Sequence, residues 1–313
     1  MLIHLLLAVV NCQPNDAPLF DDPLIKSTHE LQAFSFQPPY VEDSLRNRWW
    51  KFGGDAFVNV NEYIRLTRDT QSQSGWLWSN TPMYYSSWIV EFEFKVQHEG
   101  ALSGDGFAFW VTKEKEIQGP VFGSKDNFEG LGIFFDTYAN SRVRHSYPYV
   151  MAMMGDGKTS YDHDFDGNSV ELGGCSHDFR NQENPTRARL ELTSVHDPSQ
   201  WIQCFKIEQK IPLNYFLGFT AATGGVSSKH DLIYTKTYAV TLEKSGEENR
   251  QKSYASSSDN KFDTSNQYNK PPVTEKKGTS GVQMFIYLVL IAIVAYVGFV
   301  IYRTSQQKSN KRF

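Results

Sequence analysis

Hydrophobic and polar positions alternate most plainly between Trp88 and Val96. Trp88, Val90, Phe92, Phe94 and Val96 fall on one side of an extended chain, and Glu91, Glu93 and Lys95 on the other. That is the period of a strand with one apolar face. Arg187 to Val195 repeats it, with Ala188, Leu190 and Leu192 set against Arg189 and Glu191. Three segments are denser: Gly106 to Val111, Leu131 to Phe135, and Tyr215 to Phe219. Runs of that density predict strands covered on both faces. Helical spacing is scarce. Many short strands with Gly and Asp turns, from about Asp16 to Lys244, predict an all-β sandwich or jelly roll. A span of this length can bury a full core.

The two ends read differently. Residues 1–12 are short and apolar (Leu2, Ile3, Leu5, Leu6, Leu7, Val9, Val10) and are expected to be a secretory signal peptide. A buried N-terminal strand is the alternative. Residues 245–282 are rich in Ser, Asn, Lys, Glu and Gln with no period, the composition of a flexible, disordered stem. Residues 283–302 form a nearly unbroken apolar run. At ~1.5 Å per residue a helix there covers the ~30 Å of a bilayer core. Arg303, Lys308, Lys311 and Arg312 follow in a short tail, 303–313, which the positive-inside rule puts in the cytosol. The expectation is a single-pass type I membrane protein with residues 13–244 as its lumenal domain. Cysteine usage fits that compartment. With Cys12 removed, Cys175 and Cys204 remain, giving either one disulfide or two separate buried thiols. A net charge of -4, with no basic patch interleaved with aromatics, argues against nucleic acid.

The candidate chemistry lies at strand ends. Asp136-Thr137-Tyr138-Ala139-Asn140 directly follows the run ending at Phe135. A carboxylate, a backbone carbonyl and an amide oxygen at alternate positions can turn onto one cation, and calcium takes such hard oxygens. Tyr161 to Gly167 supplies more carboxylates and His163. Asp105 precedes one dense run and Gly224-Gly225 follows another. Each of these features alone is ordinary turn chemistry.

Together they carry a resemblance. I-R-L-T at Ile64 to Thr67, G-D-G-F-A-F-W at Gly104 to Trp110 and G-P-V-F-G-S-K-D-N-F-E-G-L at Gly119 to Leu131 occur in order. D-T-Y-A-N, S-Y-D-H, E-L-G-G-C and D-F-R-N follow. The chain resembles the animal and fungal L-type lectins of the early secretory pathway over its whole lumenal span. The resemblance implies a concanavalin-like jelly-roll β-sandwich. It implies calcium held by Asp136, the Tyr138 carbonyl, Asn140 and Asp166. It implies mannose held by Asp105, Asn140 and His163, with Gly224 and Gly225 closing the site. It also implies a non-prolyl cis peptide before Asp105, and Cys175 with Cys204 as the family's disulfide pair. Some relatives carry Asp where this chain has Gly225, so broader high-mannose recognition is expected here. Phe313 resembles a coat-recruiting export signal.

The function expected is a non-enzymatic, membrane-anchored cargo receptor for high-mannose glycoproteins. It would move between the ER, the ER–Golgi intermediate compartment and the Golgi, and engage vesicle coat proteins through its tail. Two rival readings stand against it. A β-sandwich glucanase needs paired carboxylates, typically E-x-D-x-x-E on one strand. Started at Glu91, that pattern meets Glu93 and Val96 at the wrong places, and neither G-x-S-x-G nor H-E-x-x-H occurs. An adaptor working by protein contacts alone would not need Asp105, Asn140 and His163 together.

Overall fold

The computed structural model describes residues 4–11, 25–42, 46–100, 102–140, 145–193 and 202–242. Its strands in chain order are β1 (His4–Asn11), β2 (Ile25–Glu30), β3 (Trp50–Gly54), β4 (Phe57–Asn59) and β5 (Tyr63–Thr67). Then come β6 (Ser74–Ser79), β7 (Trp88–Gln97), β8 (Gly106–Thr112), β9 (Glu129–Asp136) and β10 (Tyr149–Asp156). The last are β11 (Gly173–Ser176), β12 (Thr186–Thr193), β13 (Ile202–Glu208), β14 (Phe216–Ala222) and β15 (Lys229–Leu242). They form two antiparallel sheets. One runs β13-β1-β12-β7-β15-β5-β4, with β2 also on β15; the other runs β11-β10-β9-β8-β14-β6-β3. This is the all-β jelly-roll sandwich expected, and the dense runs became β8, β9 and β14 at the centre of the second sheet.

The apolar face of β7 meets that sheet in an aromatic core. Phe107 and Phe135, paired across β8 and β9, stack with centroids 4.4 Å apart, and Phe92 lies 5.6 Å from Phe109. Such pairs add about 0.5–1.5 kcal/mol each beyond the area they bury. The polar face of β7 is also enclosed. Glu91 is 2% exposed and Glu93 9%. Arg187 donates to Glu93 at 2.7 Å, and the Tyr234 hydroxyl donates to Glu91 at 2.7 Å. Buried carboxylates need such partners.

The Cys175–Cys204 disulfide forms, resolving the alternative of separate thiols. It joins β11 to β13, the edge strands of the two sheets. The loop it closes spans a separation of 29 residues, for which chain entropy gives about 3–4 kcal/mol. A Cys175→Ser/Cys204→Ser variant is therefore expected to unfold about 3 kcal/mol more easily in urea than the oxidised chain. A loss below ~1 kcal/mol would show that the sheets hold that edge without it.

His230 on β15 is buried, and its Nδ1 lies 2.7 Å from the Thr67 hydroxyl. Burial pushes its imidazole down to about 3. The folded chain keeps it neutral, while the unfolded chain takes a proton near pH 6.5. Stability is thus lost as pH falls from the unfolded value toward the folded one. Between pH 7 and 5 the loss from this group is about 2 kcal/mol. His230→Gln should flatten the pH dependence of unfolding by that amount; an unchanged slope would exclude His230 as its source.

The stretch expected to be a signal peptide is, over His4–Asn11, a strand between β12 and β13. Its run of Leu, Val and Ala suits a doubly paired position. The stem, the apolar run 283–302 and the tail with Phe313 lie outside the described residues. Among the described residues no helix is long and apolar enough to cross a membrane.

Candidate functional site

Register brings the site together. Gly106 at the start of β8 pairs with Asp136 at the end of β9 and with Ala222 at the end of β14. Whatever precedes β8 and whatever follows β9 and β14 must therefore meet at one end of the sheet. Asp105 lies just before β8, Asp136 to Asn140 end and follow β9, and Gly224 and Gly225 follow β14. Backbone bonds lock the junction: the Asp105 N–H donates to the Ala222 carbonyl at 3.1 Å, and the Thr137 N–H to the Asp105 carbonyl at 3.0 Å. The Gly104–Asp105 peptide is cis, as expected.

A fourth segment completes the cleft. Asp162 caps a short 3-10 turn, His163–Phe165, and Asp166 ends it in the left-handed region with φ 52°. This turn aims the Asp166 carboxylate at Asn140, whose backbone N–H and side-chain amide both donate to it, at 3.0 and 2.9 Å. The cleft encloses about 340 Å³. Asp105, Asp136, Tyr138, Asn140, His163, Gly224 and Gly225 all line it. Asp166 is joined to it through Asn140.

Its electrostatics are those of a site short of positive charge. Burial raises the Asp136 carboxyl well above its usual range, and repulsion from Asp166 and Asp105 adds to this, against one hydrogen bond from the Tyr138 N–H. Burial also raises Asp105, opposed by the Gly224 N–H and by attraction to His163. The Tyr147 hydroxyl is pushed up by burial and by Asp136 and Asp166.

Three converging carboxylates beside carbonyl and amide oxygens fit a hard divalent cation. Among the described residues no three His, Cys, Asp or Glu side chains gather closely enough to hold a metal unaided. The oxygens of Tyr138 and Asn140 are thus needed to complete the set. Asn140 gives its NH₂ to Asp166, as a free carboxylate favours. Calcium on Asp166 would take that acceptor and favour the amide oxygen instead.

Sequence reasoning missed the aromatic wall. Phe122 and Tyr161 line the cleft, with ring centroids 5.8 Å apart. Val226 also lines it, and its Cγ2 occupies the space where a side chain at Gly104 would sit. The G-P-V-F-G block already held the first signal.

The chain is similar to known proteins over this whole region. Residues 27–248 match the model of the legume-like lectin family. The vesicular integral-membrane protein VIP36 of Mus musculus is 35% identical, over 92% of this chain and 85% of its own. An L-type lectin-like domain-containing protein of Schizosaccharomyces pombe is 36% identical over 69% of this chain and 73% of its own. Among solved structures, the exoplasmic/lumenal domain of VIP36 in its Ca2+/Man-bound form has a TM-score of 0.64 at 37% identity. That match covers 69% of this chain and 93% of that one.

Proposed function

The chain belongs to the legume-like lectin family, and on that premise we propose that it is a calcium-dependent lectin for high-mannose N-glycans. The observation that carries this reading is the approach of Asp105 and Asp166 to Asp136, the first before β8, the second at the close of the 3-10 turn and the third at the end of β9, beside an open cleft lined by Asn140, His163 and Gly224. Asp136, Asp166, the Asn140 amide oxygen and the Tyr138 carbonyl would hold the ion. Bound calcium would supply the positive charge that Asp136 needs beside Asp166 and Asp105. Asp105 accepts hydrogen bonds from sugar hydroxyls and is held in place by the Gly224 N–H. His163 faces the same cleft, and Phe122 and Tyr161 give its wall an apolar surface. The site of a VIP36 structure bound to Ca2+ and mannose supports the choice of ion and sugar.

The wider assignment follows the same lines. In this reading residues 1–12 are a leader, so that the strand His4–Asn11 belongs to the uncleaved chain; 13–244 are the lumenal lectin domain, 245–282 a stem, 283–302 the membrane anchor and 303–313 a cytosolic tail. Phe313 recruits vesicle coat proteins, and the receptor carries glycoproteins between ER and Golgi. Gly225, with no atom near where its side chain would begin, leaves room for several mannose branches.

A glycan array probed with the full-length chain in detergent, with and without a calcium chelator, tests the core of this reading. High-mannose glycans should be retained only with calcium. Binding that survives the chelator would remove the metal from the site. No glycan binding at all would favour the adaptor.

A further inference from the structure

The mannose cleft is closed on one side by Ala222, Gly224, Gly225 and Val226. This loop is laid on the turn between β5 and β6. Thr223 exchanges backbone and hydroxyl hydrogen bonds with Gln73 and Thr70: its N–H donates to the Gln73 carbonyl at 2.9 Å, and its hydroxyl to the Thr70 carbonyl at 2.7 Å. The Gln71 side-chain amide donates to the Gly225 carbonyl at 2.5 Å. The return leg of the loop has a different kind of anchor. The Ser227 hydroxyl donates to Asp69 Oδ1 at 2.6 Å, and His98 Nδ1 meets the same oxygen at 2.8 Å.

We propose that Asp69 positions the sugar-closing loop through Ser227, and that His98, at the end of β7, holds the Asp69 carboxylate in place. The inference rests on the mannose reading of the cleft. None of these three residues lines the cleft. A hydroxyl bonded to a carboxylate belongs to the strong class of hydrogen bond. Here it fixes a loop whose glycines, Gly224 and Gly225, offer little stiffness of their own. Next to Ser227, Ser228 accepts from the Gly104 N–H at 3.2 Å. The return leg therefore reaches the peptide that sets Asp105. With the Ser227 anchor gone, the closed loop becomes one state among several, and apparent affinity falls by the fraction lost.

Asp69→Ala and Ser227→Ala are each expected to weaken mannose binding about tenfold. Calcium affinity, set at the ends of β9 and the Asp166 turn, should stay within about twofold. The double variant should bind no more weakly than either single one, because the Asp69–Ser227 bond to the loop is lost in both. Ser227→Thr, which keeps the hydroxyl, should restore mannose binding. Titration of full-length protein with mannose at saturating calcium, and with calcium alone, reads all of these. Single variants that bind mannose like the wild type would overturn the proposal. So would a parallel loss of calcium and sugar, or additive losses in the double variant. A wild type that binds calcium but no mannose would instead overturn the reading of the cleft, and the proposal with it.

Discussion

Replacing Asp136 with asparagine is expected to abolish calcium-dependent mannose binding while making the calcium-free chain harder to melt. The carboxylate is 4% exposed and suffers both burial and repulsion from Asp166 and Asp105. Against these stands a hydrogen bond from the Tyr138 N–H at 2.9 Å. Without calcium, removing that charge relieves an unfavourable buried group, worth about 1 kcal/mol. For a domain of this size the melting temperature then rises roughly 2–4 °C. With calcium the sign reverses. Losing one partner of a buried charge contact costs about 2–5 kcal/mol, or a ~30- to several-thousandfold weaker calcium affinity. Scanning calorimetry in chelator and calcium titration measure the two halves. A variant that melts lower without calcium, or one that still binds the ion, would show that Asp136 is structural.

Asp105→Asn is expected to separate sugar from metal. Its carboxylate accepts from the Gly224 N–H and is offered to the cleft. An amide there places NH₂ donors where hydroxyl and N–H donors must be met. Hydrogen bonds to charged groups contribute about 1.5–3 kcal/mol, so mannose affinity should fall ~10- to 150-fold. Calcium affinity should change by only about threefold, because one nearby negative charge is lost but no ligand is. Parallel loss of both would move Asp105 into the metal set.

The strands of the sandwich were legible because their apolar residues recur at period two or in dense runs, as in β7 and β9. The site was legible because its residues sit at the ends of those runs, where a chain must turn. Several features were not legible. Glu91 and Glu93 alternate correctly, but nothing along β7 says that their face is enclosed; their partners come from β12 and β15. Residues 1–12 have a composition that suits a leader and a doubly paired strand equally well. Asp69 and Ser227 stand 158 positions apart, and neither sits in a recognisable motif. Contacts of that range are set by the pairing of β5 with β15 and of β6 with β14, which local patterns do not encode. The Asn140 amide orientation depends on the charge of its neighbour, and a sequence fixes the group but not its direction.

In the proposed site Asp105 would face the sugar and Asp136 the ion, and the Asp105 charge acts on the Asp136 carboxyl. Binding at two such coupled places is reciprocal: if calcium tightens mannose by some factor, mannose tightens calcium by that same factor. Under the proposed function, a laden receptor would therefore hold its ion more firmly than an idle one. Where free calcium declines, empty receptors would be stripped first and those carrying glycan last, with the order set by equilibrium alone.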